Sequence, residues 1–364
     1  MRWVIAGGGT GGHLFPGLAI AQAFMEREMG NEVLFIGTKR GIEVRVLAGG
    51  KFPLKTIPAM PLKGISLMGK ARALWGMPRA IFEAASILKK FRPQFVLGVG
   101  GYASGPALVA AFLLGIKRGI QEQNVVPGMT NRLLRFLSQR IFVSFDESKP
   151  YFPRDKTFTT GNPIRQEILK GRERKKQDRF TILVFGGSAG AHRINQAVVE
   201  ALDLLAPVKS SVTFIHQTGE ADLDFVERGY QGKGFEAVVR PFFENMAACY
   251  QVSDLVLCRS GASTVAELAA CGKASVLVPY PFAANQHQLI NAQRLVESGA
   301  AIMIRDESLN GPVLGETLLR LYRHPEERER MERAMMQKGR PSAAEEIVDH
   351  CYALLGEESA LPTG

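Results

Sequence analysis

The sequence predicts an α/β protein of two domains, each built around a parallel β-sheet. Short apolar runs that end in glycine alternate with longer amphipathic stretches along the 364 residues, as they do in chains of βαβ units. A strand, a glycine cluster and a helix open the chain, and the same pattern starts again at Arg179. The length is enough for two domains, and 46% hydrophobic with 22% charged residues is typical of a globular protein.

Eight apolar runs are predicted to be strands: Trp3–Ala6, Val33–Ile36, Phe95–Val99, Ile141–Ser144, Thr181–Phe185, Val212–His216, Leu255–Cys258 and Ser275–Val278. Helix-like segments lie between most of them, such as Pro16–Gly30, with proline at its start and glycine at its end. We expect domains at 1–161 and 162–341, with the charged segment Lys170–Arg179 as a solvated connection. A last helix, at about 342–357, is expected to pack back on the first domain.

The sequence also predicts the compartment of the protein. No signal sequence opens the chain, and the longest later apolar run, Gly105–Ile116, is about 12 residues, whereas a membrane span needs ~20. The cysteines lack C-x-x-C or metal-like spacing, which favours free thiols in a reducing compartment; they are Cys249, Cys258, Cys271 and Cys351. We therefore expect a cytosolic protein that is soluble or binds membranes peripherally.

The net charge of +10 is concentrated in one segment, Leu62–Arg92, which has seven Lys or Arg residues and one acid. Large apolar residues, including Trp75 and Phe82, are interleaved with these cations. This pattern is typical of a surface that lies on anionic lipid, although an amphipathic helix whose apolar side joins the core would produce it too. Nucleic acid is not an expected partner, because the segment has no binding motif and few aromatic residues for stacking.

The first glycine cluster, Gly7–His13, matches G-x-G-x-x-G, the fingerprint of dinucleotide binding. Such sites also need an acidic residue at the end of the second strand to bind the adenosine ribose. Here that strand is followed by Lys39 and Arg40, without a carboxylate. The two cations could meet a 2′-phosphate, so an NADP-dependent oxidoreductase stays an alternative.

Four further segments are predicted to line a binding cleft. Gly98–Pro106 is a second glycine-rich turn of the first half, and Gly186–Asn195 places Ser188 where it would meet a phosphate or simply cap a helix. In Cys258–Gly272, a helix start offers amides to a diphosphate, and Glu267 offers a carboxylate to a ribose diol or to the helix dipole. The segment Pro279–Ala292 crowds amide and imidazole side chains that suit sugar hydroxyls. Together these features predict a nucleotide-sugar site.

Several longer motifs carry a resemblance to a known family. They are GGGTGGHLFPGLAIA, GGYASGP, QEQNVVPGMTNRLL, GNPIR, FGGSAGA, CRSGASTVAELAACG and HQLINA. In this order they resemble the MurG family of two-domain GT-B glycosyltransferases over nearly the whole chain. These enzymes transfer N-acetylglucosamine from UDP-GlcNAc to undecaprenyl-diphosphoryl-muramoyl-pentapeptide. The resemblance implies two Rossmann-like domains facing across a cleft, no metal or cofactor, and a peripheral position on the cytoplasmic face of the inner membrane.

The resemblance also implies the site residues. The donor ligands would be Thr10, Gly11, Gly12, Asn124, Arg165, Ser188, Phe243 (through its backbone, to uracil), Ala262, Ser263, Thr264, Val265, Ala266, Glu267 and Gln288. The acceptor and membrane residues would be Gly100, Gly101, Tyr102, Trp75 and Phe82, and Asn195 is also implicated in activity. Two departures are Ala189, where the family has an amide, and His287, which leaves open whether His287 or Gln288 reads the sugar.

An inverting displacement needs a base at the acceptor hydroxyl. His13 is our first choice, because imidazole titrates near neutral pH, and Glu122 is the alternative. A metal site of the D-x-D type is represented only by Asp222 and Asp224, which we expect to be solvated charges. Other activities that would fit are a GT-B transferase with another lipid acceptor, such as a diacylglycerol galactosyltransferase, and a non-catalytic nucleotide-sugar binding protein.

Overall fold

The computed structural model describes residues 1–39, 42–50, 52–60, 67–175, 177–187 and 190–356. The chain divides into two compact units. The first unit is Met1–Arg165 together with the C-terminal segment that starts at Pro341, and the second is Gln166–Arg340. Each unit has its own hydrophobic core on its own β-sheet.

The first unit is built on a parallel sheet. Its strands are β1 (Arg2–Ala6), β2 (Glu32–Gly37), β3 (Leu54–Thr56), β4 (Phe95–Gly98), β5 (Lys117–Glu122), β6 (Arg140–Val143) and β7 (Thr157–Thr159), in the order β3-β2-β1-β4-β5-β6-β7. Its helices are α1 (Gly11–Arg27), α2 (Ile42–Leu47), α3 (Leu67–Phe91), α4 (Ser104–Leu113) and α5 (Met129–Leu134). In the core, Phe24 of α1 stacks on Trp3 of β1 with ring centroids 4.0 Å apart.

The second unit repeats this plan. Its strands are β8 (Phe180–Phe185), β9 (Val212–Gln217), β10 (Glu236–Arg240), β11 (Leu255–Cys258), β12 (Ser275–Leu277) and β13 (Ala301–Met303), in the parallel order β10-β9-β8-β11-β12-β13. Its helices are α6 (Gln166–Leu169), α7 (His192–Leu205), α8 (Leu223–Lys233), α9 (Met246–Val252), α10 (Ala262–Cys271), α11 (His287–Glu297), α12 (Gly311–Arg323) and α13 (Pro325–Met336).

The final helix, α14 (Ala343–Leu355), packs against α1 of the first unit. The Asn31 side-chain amide donates a 2.9 Å hydrogen bond to the Tyr352 hydroxyl, and Arg27 forms a 3.1 Å ion pair with Asp349. The chain therefore returns to its first unit after completing the second.

All eight predicted strands are confirmed, each within one residue at either end. Five strands were not predicted, and four of them, β3, β7, β10 and β13, are the edges of the two sheets. Edge strands are short or partly solvated, so they lack the continuous apolar run of a strand buried on both faces. The fifth, β5, lies inside its sheet but ends in the buried polar residues Gln121 and Glu122.

The strand order reverses at one place in each sheet, between β1 and β4 and between β8 and β11. Ligands of open parallel sheets bind outside the carboxyl ends of the strands at such a point. The loops that follow these four strands are residues 7–10, 99–103, 186–191 and 259–261. The fold thus puts the glycine clusters where a ligand is expected in each unit.

Candidate active site

The two glycine loops of the first unit pack backbone against backbone. A Cβ atom on Gly101 would lie 2.2 Å from the carbonyl oxygen of Gly8, and one on Gly7 would lie 2.5 Å from that of Gly100. Gly100 and Gly101 also have φ angles of +91° and +80°, which side chains rarely adopt. Glycine is therefore required here by the fold, and the acceptor role predicted for Gly100 and Gly101 stays a prediction.

A buried carboxylate occupies the loop that matches the dinucleotide fingerprint. Glu43 of α2 is 1% exposed and accepts hydrogen bonds from the Gly9 amide at 2.8 Å and from the Thr38 amide and hydroxyl at 2.8 and 3.0 Å. In a dinucleotide enzyme, amides of this loop face the pyrophosphate. A phosphate at the Gly9 amide would meet the negative charge of Glu43, so the geometry disfavours an NADP site.

His13 lies in the first turn of α1 and is half-buried. Its Nδ1 atom is 3.0 Å from Oε1 of Gln123, which follows β5. A Cβ atom on Gly100 would lie 2.6 Å from the same Nδ1, so the imidazole fills a space that only glycine leaves. The structure brings the predicted base and the predicted acceptor loop together within one unit.

The Glu122 carboxylate is buried and fully engaged. Its Oε1 accepts from the backbone and side-chain amides of Asn124 at 3.0 and 3.3 Å, and its Oε2 accepts from Gly128 N at 3.1 Å and Asn131 Nδ2 at 2.9 Å. A carboxylate has about four acceptor sites. Glu122 therefore holds the turn into α5, and with it Asn124, and it could act as a base only if these bonds were broken.

The start of α1 gathers another group of predicted donor ligands. Thr10, in extended conformation, and Gly12 are exposed at the free N-terminus of the helix, where amides attract anions. The Arg165 guanidinium lies 4.6 Å from the centroid of the Phe15 ring, and a Cβ on Gly11 would come within 2.9 Å of that same ring. Phe15 thus connects Arg165 to the beginning of the helix.

Exposed apolar side chains cover part of the first unit. Trp75 and Phe82 of α3 are 88% and 76% exposed, so they do not join the core. Tyr102 is 43% exposed, and its ring lies 3.5 Å from where a Cβ of Gly9 would be. None of the helices in the described ranges is long and apolar enough to cross a membrane.

Some predicted residues lie outside the described part of the chain. They are Arg40, the residues 62–66 at the start of the basic segment, Ser188 and Ala189. The loop around Ser188 is described on either side. There, Gln217 Nε2 donates to Gly187 O at 2.9 Å, and Gln217 Oε1 accepts from the Phe243 amide at 2.9 Å. Gln217 therefore joins the glycine loop to Phe243, the predicted uracil contact. The Phe243 amide donates to Gln217 in this structure.

The helix α10 begins with unused hydrogen-bonding capacity. It starts after Gly261, which has no side chain to cap it, and its first turn contains no acid. The Ser263 hydroxyl is buried and has no hydrogen-bond partner among the described residues. Ala262 and Val265 are buried, so they could contact a ligand only through the main chain. This start of α10 suits an anion that supplies the missing acceptors.

A buried tyrosine holds the predicted ribose ligand. The Tyr250 hydroxyl donates to Glu267 Oε2 at 3.1 Å. Burial, and then the negative charge of Glu267, raises the pKa of Tyr250 well above its usual value, so this hydroxyl stays protonated and keeps its proton for the bond to Glu267. Glu267 lies three residues after Thr264, on the same face of α10.

The predicted sugar-reading segment is bound to the same region. Ser260, after β11, donates to the backbone oxygen of Gln288 at 2.8 Å, and Gln288 Oε1 accepts from the Tyr280 amide at 2.9 Å. Asn285 and Gln286, just before α11, have left-handed φ angles of +55° and +53°. Such conformations are uncommon outside glycine and concentrate at functional sites.

Asn195 and Asp222 belong to a hydrogen-bond network inside the second unit. Asn195 is fully buried; its Nδ2 donates to Thr218 O at 2.9 Å and Asp222 Oδ2 at 2.7 Å, and its Oδ1 lies 3.0 Å from His216 Nε2. Asp222 Oδ1 also lies 2.8 Å from His192 Nδ1. Burial lowers the pKa of His216 to about 3, so this imidazole is neutral. Asn195 therefore supports the loop beside the glycine cluster from within.

The expectation that Asp222 and Asp224 are both solvated is wrong for Asp222, which is held by Asn195 and His192. It is confirmed for Asp224, which is exposed on α8. Within the described residues, no group of three or more His, Cys, Asp or Glu side chains is arranged to hold a metal ion.

Four residues that hold predicted ligands within one or the other unit were not predicted: Glu43, Gln123, Gln217 and Tyr250. Each holds another group and is itself buried. Gln217 and Gln123 carry a weak signal, since polar residues at the carboxyl end of a predicted or adjoining strand point toward the ligand edge of the sheet. Glu43 and Tyr250 act through contacts between distant segments, for which spacing gives no signal.

Comparisons with known proteins agree with this arrangement. Residues 3–143 match the glycosyltransferase family 28 N-terminal domain, and residues 181–347 match the glycosyltransferase family 28 C-terminal domain. A protein of Myxococcus xanthus is 46% identical over 357 residues, 98% of this chain and 93% of its own length. A protein of Geotalea daltonii is 46% identical over 367 residues, covering 100% of both chains. Both are named UDP-N-acetylglucosamine--N-acetylmuramyl-(pentapeptide) pyrophosphoryl-undecaprenol N-acetylglucosamine transferase.

Solved structures give the same answer for the fold. The crystal structure of Acinetobacter baumannii MurG matches with a TM-score of 0.77 and 29% identity over 97% of this chain and 99% of that chain. UDP-GlcNAc 2-epimerase from Neisseria meningitidis, bound to UDP-GlcNAc, has a TM-score of 0.69 at 17% identity, covering 97% and 100%, and shares the fold. The chain therefore belongs to glycosyltransferase family 28 and, within it, to the MurG family that its motifs resemble.

Proposed function

We propose that the chain transfers N-acetylglucosamine from UDP-GlcNAc to the muramoyl 4-hydroxyl of undecaprenyl-diphosphoryl-MurNAc-pentapeptide, converting lipid I to lipid II in peptidoglycan synthesis. The observation that best supports the donor is the start of α10, where no side chain caps the first turn and the Ser263 hydroxyl has no hydrogen-bond partner among the described residues. The carboxylate of Glu267 follows on the same helix. Hydrogen-bond donors at the helix start suit the diphosphate of UDP, and the carboxylate suits the two hydroxyls of its ribose. The acceptor is the one in the names of the full-length relatives.

The reaction is a single displacement that inverts the anomeric carbon. The bond from C1 to the UDP oxygen breaks, its electron pair leaves with UDP, and the acceptor O4 forms a new bond to C1. His13 accepts the proton of the 4-hydroxyl, because imidazole is a base near neutral pH and Glu122 has no free acceptor site. The N-terminus of α10, Arg165 and Ser188 stabilise the leaving diphosphate.

The test of this function is release of UDP from UDP-GlcNAc. Release is expected only when a short-chain lipid I analogue is added, and it should continue in excess chelator. Diacylglycerol as acceptor should give no release, and NADP should neither change absorbance at 340 nm nor protect the protein against unfolding. UDP binding without acceptor-dependent release would indicate a binding protein instead. Loss of release in chelator, restored by a divalent ion, would contradict the metal-free mechanism.

The proposed acceptor is a lipid, and the first unit has a surface suited to a membrane. We propose that this membrane surface is the cytoplasmic face. α3 packs on α4, and α4 on α5. These helices and the residues just after them carry exposed large apolar side chains: Trp75, Phe82, Phe112, Leu113, Met129, Leu133 and Phe136. Basic residues accompany them, for example Arg135, whose guanidinium lies 4.6 Å from the Phe136 ring centroid. Apolar insertion with cationic attraction is typical of peripheral binding to anionic lipid.

Replacing both Trp75 and Phe82 by serine is expected to weaken binding to anionic phospholipid vesicles at least about tenfold, since burying each ring in lipid is worth roughly 1.5–3 kcal/mol. Vesicle co-sedimentation measures this, and the affinity for UDP should not change. Met29→Ser is the matched control, because Met29 is 99% exposed in the same unit but on another segment. If the double variant co-sediments with vesicles as the wild type does, Trp75 and Phe82 are not part of a membrane-binding surface.

A further inference from the structure

We propose that Gln123 is a positioning residue that fixes the tautomer of His13, keeping the proton on Nδ1 and the lone pair on Nε2. The inference builds on the proposed role of His13 as the base. It concerns which ring nitrogen can take the proton of the acceptor hydroxyl, a choice that imidazole alone leaves open.

The orientation of the Gln123 amide is fixed by a backbone oxygen. Gln123 Nε2 donates to the carbonyl oxygen of Val99 at 2.8 Å and also to Gln121 Oε1. A carbonyl oxygen cannot donate, so the NH₂ group must face Val99. Gln123 is 1% exposed, so no bulk solvent is available to satisfy the amide if it turns over.

With its nitrogen committed to Val99, Gln123 presents its oxygen to His13. That oxygen lies 3.0 Å from His13 Nδ1, so the contact is a hydrogen bond only if Nδ1 carries the proton. In neutral imidazole the other nitrogen, Nε2, then has the lone pair. The hydrogen-bond chain from Val99 through Gln123 to His13 therefore selects the base-competent nitrogen before substrate binds.

Gln121 also hydrogen-bonds to Gln123, but the orientation of the Gln123 amide is set by Val99 and not by Gln121. Its Nε2 lies 3.4 Å from both Ser144 Oγ and Asn162 Oδ1, which leaves its Oε1 toward Gln123. This buried series of amides explains why an interior strand, β5, ends in polar residues.

The test reads the His13 tautomer directly from its ring ¹⁵N shifts by NMR on the full chain, which has only six histidines. The His13 signals are assigned by their loss in His13→Ala. The wild type should show Nδ1–H. Gln123→Met removes the acceptor and should populate Nε2–H, whereas Gln123→Glu keeps an oxygen for Nδ1–H and should keep the proton on Nδ1. A purely structural role would not separate these two variants.

Activity provides the second readout. Gln123→Met should lower kcat by about tenfold or more, up to the roughly 10²–10⁴-fold that a general base contributes, with an unchanged KM for UDP-GlcNAc. Gln94→Met, which removes an amide bonded to the backbone of Arg2 in the same unit, is the matched control. An Nε2–H tautomer in the wild type, or Nδ1–H in Gln123→Met, would overturn the proposal. If the Met variant does not fold, the wild type and Gln123→Glu still decide it. If the wild type shows Nδ1–H but transfers no N-acetylglucosamine, the role of Gln123 in fixing the tautomer still holds and the proposed function is wrong.

Discussion

His13→Ala is expected to lower kcat for transfer by about 10²–10⁴-fold, the contribution of a positioned general base. The affinity for UDP should change little, because the proposed diphosphate and ribose ligands of the second unit are untouched. Steady-state transfer assays give kcat, and calorimetric titration with UDP gives the affinity.

The matched control for this variant is His324→Ala, at an exposed imidazole in the second unit. It should keep wild-type kcat. A His13→Ala enzyme with wild-type kcat would exclude His13 as the base. Glu122 would then be the candidate base, and its four hydrogen bonds would have to open when substrate binds.

Glu267→Gln is expected to reduce kcat/KM for UDP-GlcNAc by about tenfold to several hundredfold. The reason is that a hydrogen bond to a charged group contributes about 1.5–3 kcal/mol, and the ribose diol offers two donors to one carboxylate. The amide can accept at only one of its two terminal atoms. Tyr250 would keep its own bond if the remaining oxygen faces it, so the fold should survive.

A donor that lacks the ribose hydroxyls separates ribose binding from a general loss of structure. The wild type should lose affinity for the deoxy donor, whereas Glu267→Gln should bind both donors about equally, as expected when the interacting partner is already gone. Glu316→Gln, at an exposed carboxylate of α12, is the control and should behave like the wild type. If the variant still discriminates between the two donors as the wild type does, Glu267 is not the ribose ligand.

The sequence predicted the interior of the fold well and the edges poorly, for a physical reason. A strand buried on both faces must be apolar along its whole length, so β1, β4, β8 and β11 stand out. The edge strands β3 and β13 have three residues each and no such requirement. The interior strand β5 was missed because it ends in the polar residues Gln121 and Glu122, which are buried and hydrogen-bonded to the segment that follows the strand.

Motif spacing predicts which residues face a ligand, but it does not predict how they are held. Gly7–His13 matched a dinucleotide loop, and only the structure places Glu43, 34 residues further along from Gly9, against its amide. His13 was predicted as the base from its chemistry, while Gln123 approaches it from 110 residues away. Contacts between distant segments of this kind are set by the sheet order, which local spacing does not encode.

The proposed reaction transfers one N-acetylglucosamine to a lipid-linked muramoyl peptide with inversion at the anomeric carbon. Mass spectrometry and NMR of the product from UDP-GlcNAc and a short-chain lipid I analogue test it most directly. We expect an acceptor that has gained a single N-acetylhexosamine, β-linked to the muramoyl O4, and an equimolar amount of UDP. An α-linked product, or UDP released while the acceptor is unchanged, would contradict it.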